Sequence, residues 1–128
     1  MKDIFKKGDK KIFKTAVKPE DRVTFHGEVL HDVYSTFAMG RDIEWSSRLF
    51  FMEMKEEDEE GVGTLLSIEH KAPAFVGDEL TITATVDAIA GNELLCLIEV
   101  RCGERIIATG KTGQKMLKKE KLRKIFDR

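Results

Sequence analysis

The feature that most constrains this chain is a long helical pattern from Thr36 to Lys55. Ser35 and Thr36 are suitable N-cap residues at its start. The apolar residues of this segment form two stripes at helical spacing, and together the stripes occupy most sides of the predicted helix. The first stripe contains Met39, Ile43, Phe50 and Met54, and the second contains Ala38, Trp45, Leu49 and Met52. Such a helix must be covered on more than one face, so other elements have to wrap around it.

Most of the remaining chain has the period of two that is typical of strands. A weak strand is predicted before the helix at Lys14–Phe25, where Pro19 interrupts it. The acidic run Glu56–Glu60 is expected to be a loop, and residues 1–12 are expected to fray. The strands predicted after the helix are 62–70, 79–88, 93–102 and 105–117. The first of these has one face that consists of Val62, Thr64, Leu66, Ile68 and His70.

One weak strand, one long helix and four further strands with short connections predict an α+β fold. An antiparallel sheet of about five strands, wrapped around one long central helix, would cover the helix on most sides. That arrangement is the hotdog architecture. The 128 residues suit a single domain. We expect its core at residues 15–117 and a basic helical tail at residues 118–128.

Charge and composition argue against several classes of protein. A formal net charge of −1 argues against nucleic acid as a ligand. No apolar run is long enough for a membrane helix or a secretory signal, so we expect a cytoplasmic protein with no membrane partner. Cys96 and Cys102 lie on one predicted strand, roughly 20 Å apart at about 3.3 Å per residue, which is too far for a disulfide. Reduced thiols are expected, as in cytoplasmic proteins.

Two segments carry a resemblance to a known family. Residues 35–45 have the sequence STFAMGRDIEW, and residues 63–70 have the sequence GTLLSIEH. Together they resemble the fluoroacetyl-CoA thioesterase branch of the hotdog superfamily, which has a threonine, then a glutamate on the helix, and a histidine on the next strand. Thr36, Glu44 and His70 stand at matching positions. The resemblance implies that these three residues are catalytic.

The resemblance also implies the reaction, which is hydrolysis of a small or medium acyl-CoA thioester. Glu44 can attack the carbonyl as a nucleophile or act as a general base on water. His70 can transfer protons near neutral pH, and the Thr36 hydroxyl can orient Glu44 or contact the carbonyl. The backbone N–H near Gly63 is expected to stabilise the oxyanion, which gives Gly63 a substrate-binding role.

Several partners follow from the same resemblance. Coenzyme A would be part of the substrate, and no metal or redox cofactor would be required. An acyl carrier protein is the alternative carrier of the acyl group. Hotdog subunits usually pair through their sheets, so a homodimer or a higher homo-oligomer is expected.

Other functions and other roles for these residues stay open. The second candidate function is a non-catalytic acyl-CoA-binding or sensing module on the same fold. A hotdog hydratase is disfavoured, because the aspartate–histidine motif of that class is not apparent. Thr36 alone would suit a helix cap, and His70 alone would suit a core histidine. Glu44 would suit an ion pair with Arg41 or Arg48.

Three further residues are weaker candidates for a site. His26 and His31 fall in a predicted loop, and two histidines without a regular scaffold are poor evidence for a metal. Cys96 is in the middle of a predicted strand and has no basic residue near it in sequence, which disfavours a nucleophile. No metal ligand is therefore predicted.

The helix itself sets a condition on the predicted site. Thr36 and Glu44 would be roughly 12 Å apart on a continuous helix, at about 1.5 Å per residue. Thr36 must therefore lie at or before the helix start, or the two residues must meet through the substrate. The segment that forms an aromatic lid in the fluoroacetyl-CoA enzyme here contains Leu30, His31, Val33 and Tyr34. An acyl group other than fluoroacetyl is therefore expected.

Overall fold

The computed structural model describes residues 1–127, which form seven strands and two helices. The strands are β1 (Lys10–Ala16), β2 (Arg22–Phe25), β3 (Glu28–Tyr34), β4 (Glu59–His70), β5 (Glu79–Ala90), β6 (Glu93–Cys102) and β7 (Arg105–Lys118). The helices are α1 (Thr36–Met54) and α2 (Lys119–Phe126), and a 3-10 turn occupies Pro19–Asp21. Five strands form one antiparallel sheet in the order β1-β5-β6-β7-β4, while β2 and β3 form a separate hairpin. The predicted α+β fold is confirmed.

Helix α1 packs one face against the five-stranded sheet. Met39, Ile43 and Phe50 are fully buried on that face. The opposite face is open, since Phe37 is 88% exposed and Trp45 is 42% exposed. The expectation of a helix covered on most sides is therefore wrong for a single chain. Neither α1 nor α2 is long and apolar enough to cross a membrane.

The structure differs most from the prediction in the region before α1. The strand predicted at Lys14–Phe25 is wrong, because the chain turns at Pro19–Asp21 and the two halves pair with different partners, β5 and β3. Strand β1 begins at Lys10, inside the segment expected to fray. His31 lies on β3 instead of a loop, whereas His26 lies in the turn between β2 and β3. His26 (φ 52°) and Gly27 (φ 80°) both have the positive φ that a tight hairpin turn requires.

Strand β4 is longer than predicted. It begins at Glu59, so the end of the run Glu56–Glu60 is strand and not loop. The Glu59 carboxylate is almost fully buried and forms a 2.8 Å ion pair with the N-terminal amine of Met1. A hydrogen bond from that amine lowers the pKa of Glu59, which keeps the carboxylate ionised. Strand β7 extends by one residue to Lys118, which pairs with Glu59 in the sheet.

Candidate functional site

The first two predicted site residues meet where α1 begins. Thr36 is the first residue of α1, and its hydroxyl oxygen lies 3.0 Å from Nδ1 of His70 on β4. Ser35 is the N-cap, because its hydroxyl accepts a hydrogen bond from the backbone N–H of Ala38 at 2.9 Å. The Thr36 hydroxyl is therefore not used for capping and is available to the imidazole. Thr36 lies at the helix start, as the sequence required, but this position does not bring it to Glu44, which lies further along the same helix.

A buried polar cluster fixes the start of α1. The Tyr34 hydroxyl donates a 2.6 Å hydrogen bond to the Asp42 carboxylate. Arg41 donates hydrogen bonds of 3.0 Å to both Asp42 and Asp21. The backbone N–H of Ser35 donates to the Asp21 carbonyl at 2.8 Å. Burial, together with the Asp42 carboxylate, raises the pKa of Tyr34 above its usual range, so the hydroxyl remains a donor.

No sequence pattern marks this cluster, which is why the sequence did not predict it. Asp21 and Asp42 are far apart along the chain and become neighbours only in the folded protein. Arg41 was a candidate ion-pair partner for Glu44, but its guanidinium pairs with the two aspartates instead.

The second pair of predicted residues lies further along α1 and β4. A Cβ atom added to Gly63 would lie 2.7 Å from Oε1 of Glu44, so the carboxylate sits directly against the β4 backbone. Only glycine leaves the carboxylate room in this position. Arg48 donates to the Gly61 carbonyl at 2.8 Å and lies 3.5 Å from Oε1 of Glu44. Because the Glu44 side chain is 43% exposed, this ion pair contributes little stability by itself.

A β-bulge in β4 puts Gly63 and His70 on the same face of the sheet. Two strand residues separated by an odd number of positions normally point to opposite faces. The register of β4 against β7 shifts between Gly63 and Leu65, which leaves Thr64 as an extra residue. The shift reverses the alternation, so that both Gly63 and His70 face α1. The predicted face that joined Val62 and Thr64 to His70 is therefore wrong.

Within one chain the two pairs remain apart. Glu44 follows Thr36 along α1 by about 12 Å, which is the rise of the helix over that interval. Gly63 and His70 are separated by about 20 Å of strand. The structure therefore brings Thr36 to His70 and Glu44 to Gly63, but it does not bring the four residues into contact.

A cavity of about 780 Å³ lies between the start of α1 and the β2–β3 hairpin. Its lining includes Thr36 and Phe37 from α1 and Phe25 and His31 from the hairpin. The volume is in the range of small-molecule sites. Of the four residues in the predicted lid segment, His31 lines the cavity, whereas Tyr34 is buried beneath α1. A concavity of about 570 Å³ elsewhere on the sheet contains neither pair.

The weaker candidates gain no support from the structure. Cys96 is buried, and burial raises its pKa to about 12, so the thiol is protonated near neutral pH. No group of three or more His, Cys, Asp or Glu side chains within residues 1–127 has the arrangement of a metal site. His26 and His31 therefore have no third ligand among the described residues.

Comparison with known proteins identifies similar sequences and folds. Residues 17–120 match the family model described as fluoroacetyl-CoA-specific thioesterase. The structure resembles a hypothetical protein from Thermus thermophilus, a thioesterase superfamily member, at 29% identity and a TM-score of 0.92, over 97% of this chain and 92% of that chain. It also resembles a hot-dog-like protein from Thermanaerovibrio acidaminovorans at 25% identity and a TM-score of 0.87, over 94% and 90% of the two chains.

A third set of similar structures comes from the fluoroacetyl-CoA-specific thioesterase FlK. One mutant of that enzyme has a TM-score of 0.88 at 22% identity, over 97% of this chain and 96% of that chain. The same mutant enzyme was solved in complex with fluoroacetate and CoA. At this identity the likeness shows the hotdog fold. No match was found among curated proteins.

Proposed function

Because the chain belongs to the fluoroacetyl-CoA-specific thioesterase family, we propose that it hydrolyses a small or medium acyl-CoA thioester through Glu44, His70 and Thr36. As a member of that family the protein is a thioester hydrolase. The observation that most directly supports the residue assignment is the 3.0 Å contact between the Thr36 hydroxyl and His70. It joins a hydroxyl that capping leaves free to an imidazole, a side chain that can act as a general acid or base.

We further propose that the active unit is a homodimer whose two chains complete each site together. Strand β4 is at the edge of the sheet, with no described strand on its outer side, and Leu65 and Leu66 are 48% and 46% exposed there. An exposed edge of this kind favours pairing with a second chain. With Thr64 counted as the extra residue of the bulge, a two-fold axis at Ser67 would set Gly63 of one chain opposite His70 of the partner subunit.

This pairing explains why two separate pairs of residues exist in each chain. Residues directly opposite in an antiparallel pair project on the same face, and the bulge gives Gly63 and His70 a common face. The Glu44–Gly63 pair of one chain would then lie beside the Thr36–His70 pair of its partner. The thioester carbonyl would be bound between them.

The proposed chemistry uses no metal and no redox cofactor. As a general base, Glu44 takes a proton from water while the water oxygen bonds to the carbonyl carbon. The Gly63 backbone N–H stabilises the oxyanion, and Thr36 orients His70 or the carbonyl. The C–S bond then breaks, and the proton passes to the thiolate through His70, which leaves Glu44 ionised again.

The alternative role of Glu44 is that of a nucleophile. In that case its carboxylate attacks the carbonyl, the thiolate leaves, and water hydrolyses the resulting anhydride. If water attacks the Glu44 carbonyl of this anhydride, a single turnover in ¹⁸O-labelled water labels the Glu44 carboxylate, whereas the general-base route labels only the released acid.

The cavity beside Thr36 is the proposed site of the acyl group. Of the lid-segment residues Leu30, His31, Val33 and Tyr34, only His31 is in its lining, which supports an acyl group other than fluoroacetyl. Coenzyme A is the proposed carrier, and an acyl carrier protein is the alternative. We also propose a cytoplasmic location, which the unpaired thiols of Cys96 and Cys102 favour.

A thiol-release assay over a panel of acyl-CoA substrates tests this function. We expect turnover by the wild type and a loss of about 10²–10⁴-fold for Glu44→Ala and for His70→Ala. Glu53→Ala is a matched control, because Glu53 is an exposed glutamate on the same helix that contacts Lys11 instead of Gly63. Tight acyl-CoA binding with no turnover would support a binding or sensing module. Full activity in both variants would refute the residue assignment.

A further inference from the structure

A buried glutamine lies behind the Glu44–Gly63 pair. Gln114 is on β7, is 1% exposed, and pairs with Gly63 in the sheet register. Its side-chain Nε2 donates a 2.8 Å hydrogen bond to the Ser47 hydroxyl and lies 3.4 Å from the Glu44 backbone carbonyl. The Ser47 hydroxyl in turn donates to that same carbonyl at 3.1 Å. Gln114 therefore contacts both members of the Glu44–Gly63 pair. Its backbone pairs with Gly63, and its side chain contacts the backbone carbonyl of Glu44.

Stability does not account for a glutamine in this position. Its Oε1 is buried and accepts no hydrogen bond from any residue in the range 1–127. Burying an amide oxygen without a donor is unfavourable, and an apolar side chain of similar length would avoid that penalty. A polar group that is kept in the core against its own desolvation indicates a role other than stability.

We propose that Gln114 is a positioning residue that sets the distance between the Glu44 carboxylate and the Gly63 backbone. Its backbone holds β4 at Gly63, and its amide holds the turn of α1 that carries Glu44. The space between the Glu44 carboxylate and the Gly63 backbone is small, since a single Cβ added at Gly63 would lie 2.7 Å from Oε1 of Glu44. This inference rests on the proposed catalytic role of Glu44.

The substitution Gln114→Met tests the proposal, because methionine has a similar length and no polar atom at the end of its side chain. We expect the denaturation midpoint to stay the same or rise. We expect kcat to fall about tenfold with KM within about twofold, because catalysis loses roughly a hundredfold for each 1 Å of misplacement. A purely structural role predicts the reverse, with lower stability and unchanged kcat, and that result would overturn the proposal.

Thr112→Val is the matched control. Thr112 is on the same strand, is buried, and its hydroxyl also has no hydrogen-bond partner within residues 1–127. The register pairs it with Leu66 and Cys96, away from Glu44. We expect this variant to keep wild-type kcat and to be at least as stable. A loss of kcat equal to that of Gln114→Met would show that any change on this strand face impairs the enzyme.

Three further variants complete the test. Ser47→Ala removes the hydrogen-bond acceptor from α1 and leaves Gln114 in place, so it tests the same link if Gln114→Met fails to fold. Because the Ser47 hydroxyl is the 2.8 Å partner of the Gln114 amide, the double variant should lose no more kcat than Gln114→Met alone. Glu44→Ala in the same assay separates the two proposals. Wild-type turnover by Glu44→Ala would refute the proposed catalytic role of Glu44, whereas its inactivity beside an unimpaired Gln114→Met would refute only the positioning role.

Discussion

The substitution Gly63→Ala changes the candidate site by a single methyl group in a known direction. The new Cβ would lie 2.7 Å from Oε1 of Glu44 and 3.4 Å from its Cδ. An ordinary contact requires about 3.4 Å, so the carboxylate oxygen must retreat by about 0.7 Å or leave its rotamer. Glu44 can move because its side chain is partly exposed, so the collision displaces the carboxylate and leaves the β4 backbone in place.

The expected result is a loss of rate without a loss of stability. A misplacement of about 0.7 Å predicts a fall in kcat of roughly 10–100-fold. Gly63 does not have positive φ, so alanine adopts its backbone conformation without strain, and the free energy of unfolding should stay within about 1 kcal/mol of the wild-type value. Thiol release measures kcat, and urea denaturation measures the free energy of unfolding.

Gly40→Ala is a matched control for adding a methyl group. Its Cβ would meet only the flexible ends of Leu66 and Ile68, at 3.3 and 3.4 Å, and alanine favours the helix by about 1 kcal/mol. We expect wild-type kcat and equal or higher stability from this variant. Wild-type kcat in Gly63→Ala would show that the Glu44 carboxylate does not need its position against β4.

Two other predictions concern the polar cluster and the buried thiol. Tyr34→Phe removes a buried hydrogen bond to the Asp42 carboxylate. This variant should lower the free energy of unfolding, measured by urea denaturation, by about 1.5–3 kcal/mol. An unchanged free energy of unfolding would mean that the polar cluster does not stabilise the start of α1. The pKa of Cys96 is raised to about 12, so only about 10⁻⁴ of this thiol should be ionised at pH 8. Cys96 should therefore react with a disulfide reagent only after denaturation, whereas the partly exposed Cys102 should react in the native protein. Fast reaction of both thiols in the native protein would contradict this prediction. Since the Cys96 thiol keeps its proton in the folded state after the unfolded state has lost it, this group also makes stability decrease as the pH rises from 9 towards 12.

The start of α1 was predictable because its signals are local. Ser35 has the chemistry of an N-cap, and the apolar period begins directly after it. The position of Thr36 at the helix start follows from these neighbours, and so does the freedom of its hydroxyl. A sequence pattern predicts features that depend on neighbours along the chain, and the start of α1 is such a feature.

The bulge in β4 was not predictable, although the geometry of the site depends on it. The alternation from Val62 to His70 fits a regular strand, and only the pairing with β7 shows that Thr64 is an extra residue. One inserted position exchanges the faces of the strand and so places Gly63 beside Glu44. The link between Gly63 and the site therefore came from resemblance and not from periodicity.

The hairpin before α1 was missed for a different reason. Its turn uses His26 in a left-handed conformation before Gly27, whereas the usual sequence signal is Asn-Gly or Asp-Gly. The polar cluster around Arg41 was missed because its members meet only through tertiary contacts. Helical periodicity predicted a covered helix because the pattern shows which residues are apolar but not which elements cover them. The face of α1 that contains Phe37 is exposed in the single chain and is available to a second chain.

The most direct test of the shared site is the activity of a mixed dimer. Glu44→Ala and His70→Ala chains with different affinity tags are co-expressed, and the heterodimer is purified through both tags and assayed for thiol release. If Glu44 of one chain works with His70 of the partner subunit, one of the two sites is intact, and about half of the wild-type activity should appear although both parent homodimers are inactive. If each site forms within one chain, both sites of the heterodimer lack a residue, and an inactive heterodimer would contradict the account.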